Sequence, residues 1–516
     1  MRALLVLPIL LLPAAANAQS SGDLPQHAFI HVSLDPTFPK AVSGRLLVFI
    51  APASNAASSV DIEMMSPTRV YVAAKELSNL APGETADLDA DDIVFPKALS
   101  LAPAGNYEVQ AVLDVHHSYN YDDRDPGDLV SSPKTIRVPL DAAQTSLTLS
   151  QIVPEPPDPL EKRPDVGAAL QRVDFVSPTL SKFWGRDIHM RGWILLPPGY
   201  AAHPSEHYPT VYFTHGFGGT LNGLRGRYAP LLYDRMKQGH MPEMIWVLLD
   251  ESSATGTHEF ADSVNNGPWG AALTTELIPH LETAYRMDAR TSGRFLQGHS
   301  SGGWATLWLQ THYPNIFGGT WSTSPDPSDF HFFSTVDLYA PNANMYKTSD
   351  GNLHPMLRDH GNPRSTMEEL AQLESVLGPY GGQLASFEWV FSPRGADGRP
   401  AQLFNRTSGD IDPTVAAYWR DHYDIVQYLN RNWATIGPSL QGKIHLFVGT
   451  DDTFYLDGAA HSLQATLDRL GGDGHFTFVE GRSHFNVYAG GNDPFALFDR
   501  IGAEMYRVAR PTAAAN

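Results

Sequence analysis

The chain has 516 residues, of which 42% are hydrophobic and 18% charged, and its formal net charge is −20. This composition excludes a wholly disordered chain, and the acidic balance argues against nucleic acid or an anionic membrane surface as the main partner. Cysteine is absent, which excludes disulfides, thiolate catalysis, zinc–thiolate sites and iron–sulfur clusters.

Residues 1–18 have the three parts of a secretory signal. Arg2 supplies a positive charge, an apolar run extends from Ala3 to Leu12, and small residues lead to Ala18. Pro8 and Pro13 disfavour the alternative of a buried N-terminal helix, and the run is shorter than the roughly 20 residues of a membrane-spanning helix. No later segment is long and apolar enough to span a bilayer. We therefore expect cleavage after Ala18 and a secreted or periplasmic protein.

Residues 19–150 have the pattern of an all-β domain. Short apolar or alternating stretches, separated by turn residues and without a long helical pattern, predict a β-sandwich-like unit. Prolines are frequent in the next stretch and predict a linker over residues 151–170. The predicted strands are Ala28–Leu34, Gly44–Ile50, Val70–Ala73, Gly105–Leu113 and Lys134–Val138.

Over residues 171–510, strands alternate with helices. This alternation is typical of an α/β fold with a mostly parallel central sheet and helices on both faces. The predicted strands include Tyr208–Thr214, Met244–Leu249, Gly293–Gln297, Ile444–Val448 and Phe476–Val479. The predicted helices include Ala271–Tyr285, Gly302–Thr311, Ala459–Leu470 and Phe495–Arg507.

A polar and aromatic stretch, residues 325–442, interrupts this alternation. An insertion of this length predicts a lid or a pocket wall. A capping box from Ser365 to Glu368 predicts the start of one helix, and Thr414–Trp433 predicts a second. Tryptophans in this stretch either line a substrate site or form a small core of the insertion itself; they are Trp389, Trp419 and Trp433.

The strongest chemical signal is the Gly-x-Ser-x-Gly pattern from Gly298 to Gly302, between a predicted strand and a predicted helix. The sharp turn needs residues without bulk, and it presents the Ser300 hydroxyl at a helix N-terminus, where the helix dipole favours a developing oxyanion. We interpret Ser300 as the nucleophile. The alternative is a tight structural turn with a capping serine; the adjacent Ser301 lies outside the register of the pattern.

A serine nucleophile needs a base and an acid that orients it, and in α/β folds of this kind both follow the serine. The strand ending at Val448 leads to Asp451 and Asp452, and the strand ending at Val479 leads to His484. Because functional groups gather at the carboxyl ends of such strands, we predict His484 as the base. We prefer Asp452 as the acid, with Asp451 as the alternative.

The glycine-rich loop Thr214–Gly219 follows another predicted strand. Backbone N–H groups in such a loop can turn toward an acyl oxygen. We predict the backbone N–H groups of Phe217 and Ser301 as the oxyanion donors. His215 is predicted to fix the loop by hydrogen bonds rather than to bind a metal.

Together these residues resemble the putative-esterase family of α/β-hydrolases, over about residues 170–510. That family includes esterase D-like S-formylglutathione hydrolases, enterochelin esterases, feruloyl and acetyl-xylan esterases, and mycolyltransferases. The resemblance implies an α/β-hydrolase fold and ester hydrolysis, and the stretch Asp452–Gly458 is similar to the acid loop of esterase D-like enzymes. The long insertion differs from the compact cytosolic members. The matching segments are Tyr208–Gly219, Trp269–Tyr285, Gly298–Gly303, Gly449–Asp457 and Ser483–Phe485.

We predict an extracytoplasmic serine carboxylic-ester hydrolase that forms an acyl-enzyme and uses neither a cofactor nor a metal. Its substrate is expected to be a small-molecule or glycan-linked ester. The negative net charge of the chain disfavours a strongly anionic substrate. Activity should fall as the pH drops, because the imidazole of the base then takes up a proton. The alternatives are an acyltransferase of the same fold, a serine peptidase, and a secreted binding protein with a vestigial hydrolase domain. The acyl and alcohol parts of the substrate and the oligomeric state stay open.

Overall fold

The computed structural model describes residues 27–53, 59–117, 124–140, 145–378 and 382–511. The predicted signal segment, residues 1–18, lies outside this part of the chain. No helix in the described ranges combines the length and the apolar character that crossing a membrane requires.

Nine strands at the N-terminal end form one hydrogen-bonded sheet, here called the N-terminal sheet. They are β1 (Phe29–Leu34), β2 (Val42–Pro52), β3 (Tyr71–Leu80), β4 (Thr85–Asp89), β5 (Val94–Phe95), β6 (Gly105–Asp114), β7 (Leu129–Ser131), β8 (Lys134–Val138) and β9 (Ser146–Ile152). Their order is β4-β1-β9-β7-β6-β2-β3-β5, and β8 pairs with β6. Apolar side chains from different strands of this sheet, such as Val32 of β1 and Val48 of β2, join one buried cluster. All five predicted strands overlap strands of this sheet.

A second sheet, the α/β sheet, has eight strands that lie between residues 170 and 479. Its first strands are β10 (Leu170–Val176), β11 (His189–Leu195), β12 (Thr210–Thr214) and β13 (Ile245–Leu249). Two short hairpins follow, β14 (Ser252–Ser253) with β15 (Gly256–Thr257) and β16 (Asp262–Ser263) with β17 (Gly267–Pro268). The remaining strands of the chain are β18 (Arg294–His299), β19 (Gly319–Thr323), β20 (Pro355–Asp359), β21 (Asn362–Thr366), β22 (Ile444–Gly449) and β23 (Gly474–Val479).

The strand order of the α/β sheet is β10-β11-β13-β12-β18-β19-β22-β23. All pairs from β13 to β23 are parallel, whereas β10–β11 and β11–β13 are antiparallel. The prediction of a mostly parallel sheet in a mixed α/β fold is thus confirmed. Parallel neighbours bring the carboxyl ends of β12, β18, β19, β22 and β23 to one edge, where the loops that follow them meet.

Helices cover both faces of the α/β sheet. In chain order, and with those of the segment between β19 and β22 included, the helices of the described residues are α1 (Pro164–Ala169), α2 (Pro178–Trp184), α3 (Leu221–Gly223), α4 (Ala229–Lys237), α5 (Trp269–Ala272), α6 (Ile278–Ala284), α7 (Ser301–His312), α8 (Met367–Leu377), α9 (Gln383–Phe391), α10 (Pro413–His422), α11 (Ile425–Leu440), α12 (Asp457–Leu470) and α13 (Ala496–Ala509). Single π-turns join α3 to α4 and α5 to α6. Successive strand residues alternate between the two faces: Tyr212 packs into one buried cluster and Phe213 into the other.

Residues 324–443, between β19 and β22, form the inserted segment, and two details of it differ from the sequence prediction. Its first helix has Thr366 as N-cap, paired reciprocally with Glu369, one residue after the predicted box from Ser365 to Glu368. The predicted single helix Thr414–Trp433 is two helices, α10 and α11. The chain breaks there because Asp424 caps α11 and also accepts a hydrogen bond from the Phe330 N–H.

The inserted segment packs against the N-terminal sheet. Side chains of β2 and β3, such as Phe49 and Val72, share a buried cluster with Leu373 of α8. Arg45 of β2 donates from Nη2 to the carbonyl oxygen of Val376 at 2.7 Å. Trp419 lies in the same apolar cluster, 1% exposed, against aromatic rings of the segment. The inserted segment is therefore wedged between the two sheets.

Candidate active site

Ser300 lies at the sharp turn between β18 and α7. Its backbone has φ 59° and ψ −127°, a conformation that is strained for a residue with a side chain. Close backbone approach surrounds the turn: a Cβ added to Gly302 would lie 2.2 Å from the His215 carbonyl oxygen, and one added to Gly216 would lie 2.8 Å from Ser300 Cβ. The absence of side chains at these two glycines lets the loop after β12 pack directly against the turn that carries Ser300.

His484 and Asp452 meet at the same edge of the sheet. His484 Nδ1 lies 3.0 Å from Asp452 Oδ2, and the two residues are 3% and 0% exposed. The other carboxylate oxygen, Oδ1, accepts hydrogen bonds from the N–H groups of Phe454 and Leu456. Because an ionised carboxylate can only accept, this contact favours the neutral tautomer with the proton on Nδ1, which leaves the lone pair on Nε2. His484 and Ser300 line the same cavity.

Asp451 faces away from this pair. Its Oδ1 accepts from the Gly361 N–H at 2.8 Å and lies 3.5 Å from Arg358 Nε. Of the two candidate acids, the structure brings Asp452 to His484 and uses Asp451 to attach the β20–β21 hairpin of the inserted segment.

The loop after β12 and the start of α7 flank Ser300. Gly216 touches Ser300, and the next residue, Phe217, lines the cavity. Ser301 begins α7, whose first N–H groups have no partner within the helix, and its side-chain hydroxyl donates to Asp326 Oδ2 at 2.6 Å. Both predicted oxyanion residues thus adjoin the Ser300 turn.

His215 fixes the β12 loop, as its position predicted. It is 3% exposed, with Nδ1 2.8 Å from the Gly216 carbonyl oxygen and Nε2 3.1 Å from Asp250 Oδ1. Burial lowers its pKa, but the Asp250 hydrogen bond and the neighbouring carboxyl groups outweigh this, so the net shift of the pKa is upward. The His215 ring therefore links the loop after β12 to Asp250, which follows β13.

Buried acids behind the nucleophile turn are a feature that the sequence analysis missed. Glu251 and Glu259 are fully buried, and none of their carboxyl oxygens has a hydrogen bond of normal geometry in the described part of the protein, although the Thr214 side chain lies close enough to Glu251 to oppose the rise in its pKa. Burial raises the pKa of Glu251 to about 8 and that of Asp326 to about 6, and it raises the pKa of Glu259 well above its usual range. Asp326 follows β19, so the rule that favours strand ends could have found it.

The Ser300 cavity has a volume of about 580 Å³ and walls from three parts of the chain. Most of the wall belongs to loops of the α/β sheet. The N-terminal sheet contributes Met64 and Met65 from the connection between β2 and β3, and the inserted segment contributes Leu357 and Gln383. No local pattern in the sequence marks these four residues, because only packing brings them to the cavity.

A possible metal-binding group lies elsewhere. Within the described ranges, one His/Asp group has ligand atoms that all lie within 4.8 Å of one another: His27, Asp89 and Asp91. Those atoms already pair, His27 Nδ1 with Asp89 at 2.6 Å and the two Asp91 oxygens with backbone N–H groups. None of the three residues lines the Ser300 cavity.

The chain is similar to a known protein family. A family model described as "Putative esterase" matches residues 181–494, more than half of the chain. No curated protein matches the sequence.

Among solved structures, the chain is similar to a ferulic acid esterase, with 13% identity, 66% of this chain and 98% of that chain covered, and a TM-score of 0.41. It is also similar to the S-formylglutathione hydrolase of Agrobacterium tumefaciens, with 14% identity, 65% and 95% covered, and a TM-score of 0.37. A third is the fluorophosphonate-binding serine hydrolase F of Staphylococcus aureus, with 12% identity, 66% and 98% covered, and a TM-score of 0.36.

Proposed function

The chain belongs to the putative esterase family, and from this membership we propose that it hydrolyses carboxylic esters through an acyl-enzyme on Ser300, with His484 as base and Asp452 as the orienting acid. The observation that carries the proposal is the buried His484–Asp452 hydrogen bond of 3.0 Å, in one cavity with a serine on a strained strand-to-helix turn.

The mechanism follows from the protonation of the pair. The lone pair of His484 Nε2 accepts the Ser300 proton as Oγ attacks the ester carbonyl carbon, and Asp452 stabilises the imidazolium that forms. The N–H groups of Phe217 and Ser301 bind the oxyanion of the tetrahedral intermediate. The imidazolium then protonates the leaving alcohol. Water repeats the sequence on the acyl-enzyme and releases the carboxylic acid.

The direct test is Ser300→Ala. We expect the wild-type protein to hydrolyse 4-nitrophenyl acetate and to be labelled by a fluorophosphonate probe, because the probe reacts only with an activated serine. Ser300→Ala should lose the label and at least about 10³-fold of the turnover. Ser301→Ala, which changes the neighbouring hydroxyl, should keep the label. A label that persists in Ser300→Ala would contradict the proposal.

We further propose that the protein is exported. The charged start, the apolar run and the small residues before Gln19 support this location. N-terminal sequencing of protein recovered outside the cytoplasm should begin at Gln19; recovery of the full-length chain from the cytoplasm alone would contradict it.

A further inference from the structure

The charge that lines the Ser300 cavity is opposite to that of the whole chain. The net charge of the chain is −20, yet the described residues of the cavity wall include no aspartate or glutamate and one arginine, Arg227. His299, also in the wall, is half-buried, and its desolvation together with the neighbouring His484 holds its pKa well below the usual range, so this ring is neutral. Arg227 is therefore the permanent charge of the wall.

Arg227 is exposed and lies in the π-turn between α3 and α4. Its guanidinium carbon is 5.6 Å from the ring centroid of Tyr228, and no carboxylate within the described ranges forms an ion pair or hydrogen bond with it. Arg225, two residues earlier, is instead paired with both oxygens of Asp158. The fork of N–H donors on Arg227 is thus open toward a ligand.

The surroundings of Arg227 strengthen its attraction for an anion. Leu224, Tyr228, Phe495 and Phe498 line the same cavity, and apolar walls lower the effective dielectric around a charge pair. The positive charge of Arg227 acts on other residues of the wall: it lowers the pKa of the His299 ring and opposes the rise in pKa that burial causes in Tyr488.

Resting on the proposed function, we propose that the ester substrate carries an anionic group, such as a carboxylate, which Arg227 binds while the ester carbonyl lies at Ser300. Guanidinium pairs with carboxylate through two parallel hydrogen bonds, which fixes orientation as well as charge. The acidity of the whole chain does not oppose this contact strongly, because charges beyond about 8 Å are largely screened at physiological salt.

The test uses pairs of esters that differ in one charge. Mono-4-nitrophenyl glutarate and its methyl ester place or remove a carboxylate on the acyl side; 4-acetoxybenzoate and its methyl ester do the same on the alcohol side. Wild-type protein should prefer the anionic member of one pair in kcat/KM. Arg227→Gln should lower kcat/KM for that anionic ester about fivefold to tenfold, chiefly through KM, and leave its neutral partner within about twofold.

Two further variants separate charge from shape. Arg227→Lys should retain most of the preference, and Arg227→Glu should reverse it. Arg186→Gln is the matched control, since Arg186 is an exposed arginine 6.0 Å from the Trp184 ring and outside the cavity wall, and it should change nothing. Equal losses on anionic and neutral esters in Arg227→Gln, or no preference in the wild type for either pair, would overturn the proposal.

A binding measurement keeps this test independent of catalysis. In the Ser300→Ala background, calorimetry should show tighter binding of the preferred anionic ester than of its neutral partner, and Arg227→Gln should abolish the difference. If the wild type hydrolysed no ester and took no fluorophosphonate label, the proposed function would fail. Binding would still decide the role of Arg227: a difference supports it, and no difference rejects it.

Discussion

At the scale of single residues, the two neighbouring aspartates differ by the direction in which each carboxylate points. Asp452 turns inward to His484, with its second oxygen held by two backbone N–H groups. Asp451 turns outward to the Gly361 N–H. Identical side chains one position apart therefore have separate tasks, because the turn after β22 sends them to opposite sides.

This difference predicts the result of two equivalent substitutions. Asp452→Asn should lower kcat roughly 10³-fold to 10⁴-fold, because the amide cannot stabilise the imidazolium and can favour the wrong tautomer of His484. Asp451→Asn keeps an acceptor for Gly361 and should lower kcat less than about tenfold. Steady-state kinetics of both variants on 4-nitrophenyl acetate decide the matter; a larger loss in Asp451→Asn would reverse the assignment.

Buried Glu251 makes stability depend on pH. Burial raises its pKa to about 8 from 4.5, so the folded state binds the proton more tightly than the unfolded state. Its contribution is complete below about pH 4.5 and is lost as the pH rises through about 8, at about 1.4 kcal/mol for each unit between the two pKa values.

Glu251→Gln removes this titration and keeps the shape of the side chain. Urea unfolding should therefore show the variant gaining stability relative to the wild type between pH 5 and pH 8. Glu480→Gln, at an exposed carboxyl, should show no such gain. Parallel stability curves for wild type and Glu251→Gln would contradict a protonated Glu251 in the fold.

At the scale of elements, the β20–β21 hairpin is hydrogen-bonded to the loop of Asp452. Arg358 of β20 donates from Nε to the Asp452 carbonyl oxygen at 2.8 Å and from Nη2 to Asp457 at 2.7 Å, and its guanidinium carbon lies 4.5 Å from the Tyr455 ring centroid. The backbone N–H of Arg358 donates to the Thr453 carbonyl oxygen at 2.9 Å. The inserted segment thus bonds to the loop that carries Asp452.

Arg358→Ala should loosen this loop. Because a displacement of about 1 Å at a catalytic group can cost about 100-fold in rate, we expect kcat to fall between about tenfold and 100-fold with little change in KM. Arg364→Ala is the control from the same hairpin, where an exposed arginine pairs with Asp359 at 2.8 Å. The rate of fluorophosphonate labelling should fall in Arg358→Ala only. Equal labelling rates in both variants would show that the contacts of Arg358 with the Asp452 loop do not affect catalysis.

At the scale of the whole molecule, the N-terminal sheet is part of the cavity wall. Met64 and Met65 stand in the connection between β2 and β3, and the sheet is fixed to the inserted segment by Arg45 and by a shared apolar cluster. Methionine side chains are flexible and fill irregular space. The sheet therefore helps to shape the site at which the substrate would bind.

Met64→Ala/Met65→Ala should change acyl preference. Each buried methylene contributes about 0.8 kcal/mol, so loss of this wall should raise KM for 4-nitrophenyl octanoate about fourfold or more and leave 4-nitrophenyl acetate unchanged. Leu101→Ala, at a 57% exposed position of the N-terminal region, should affect neither. An unchanged ratio of the two esters would mean that the acyl chain does not reach the methionines.

The sequence by itself determined what depends on local order along the chain. The alternation of strands and helices, the Gly-x-Ser-x-Gly turn and the positions of Asp452 and His484 after strands can be read within short windows, because backbone geometry sets the periodicity and the turn chemistry. The structure places the capping box one residue later than the pattern predicts, and it divides the predicted helix Thr414–Trp433 into two. In both cases a side-chain hydrogen bond, not the hydrophobic pattern, decides where the helix begins.

The tertiary structure alone decided which distant residues share the cavity. Met64, Arg227, Leu357 and Gln383 come from separate parts of the chain, and no periodicity links them. The choice between Asp451 and Asp452, the burial of Glu251 and the hold of Arg358 on the acid loop likewise depend on the direction of side chains after packing. Local sequence sets the backbone of each element, but contacts between elements are fixed by the burial of surfaces that meet only when the whole chain has folded.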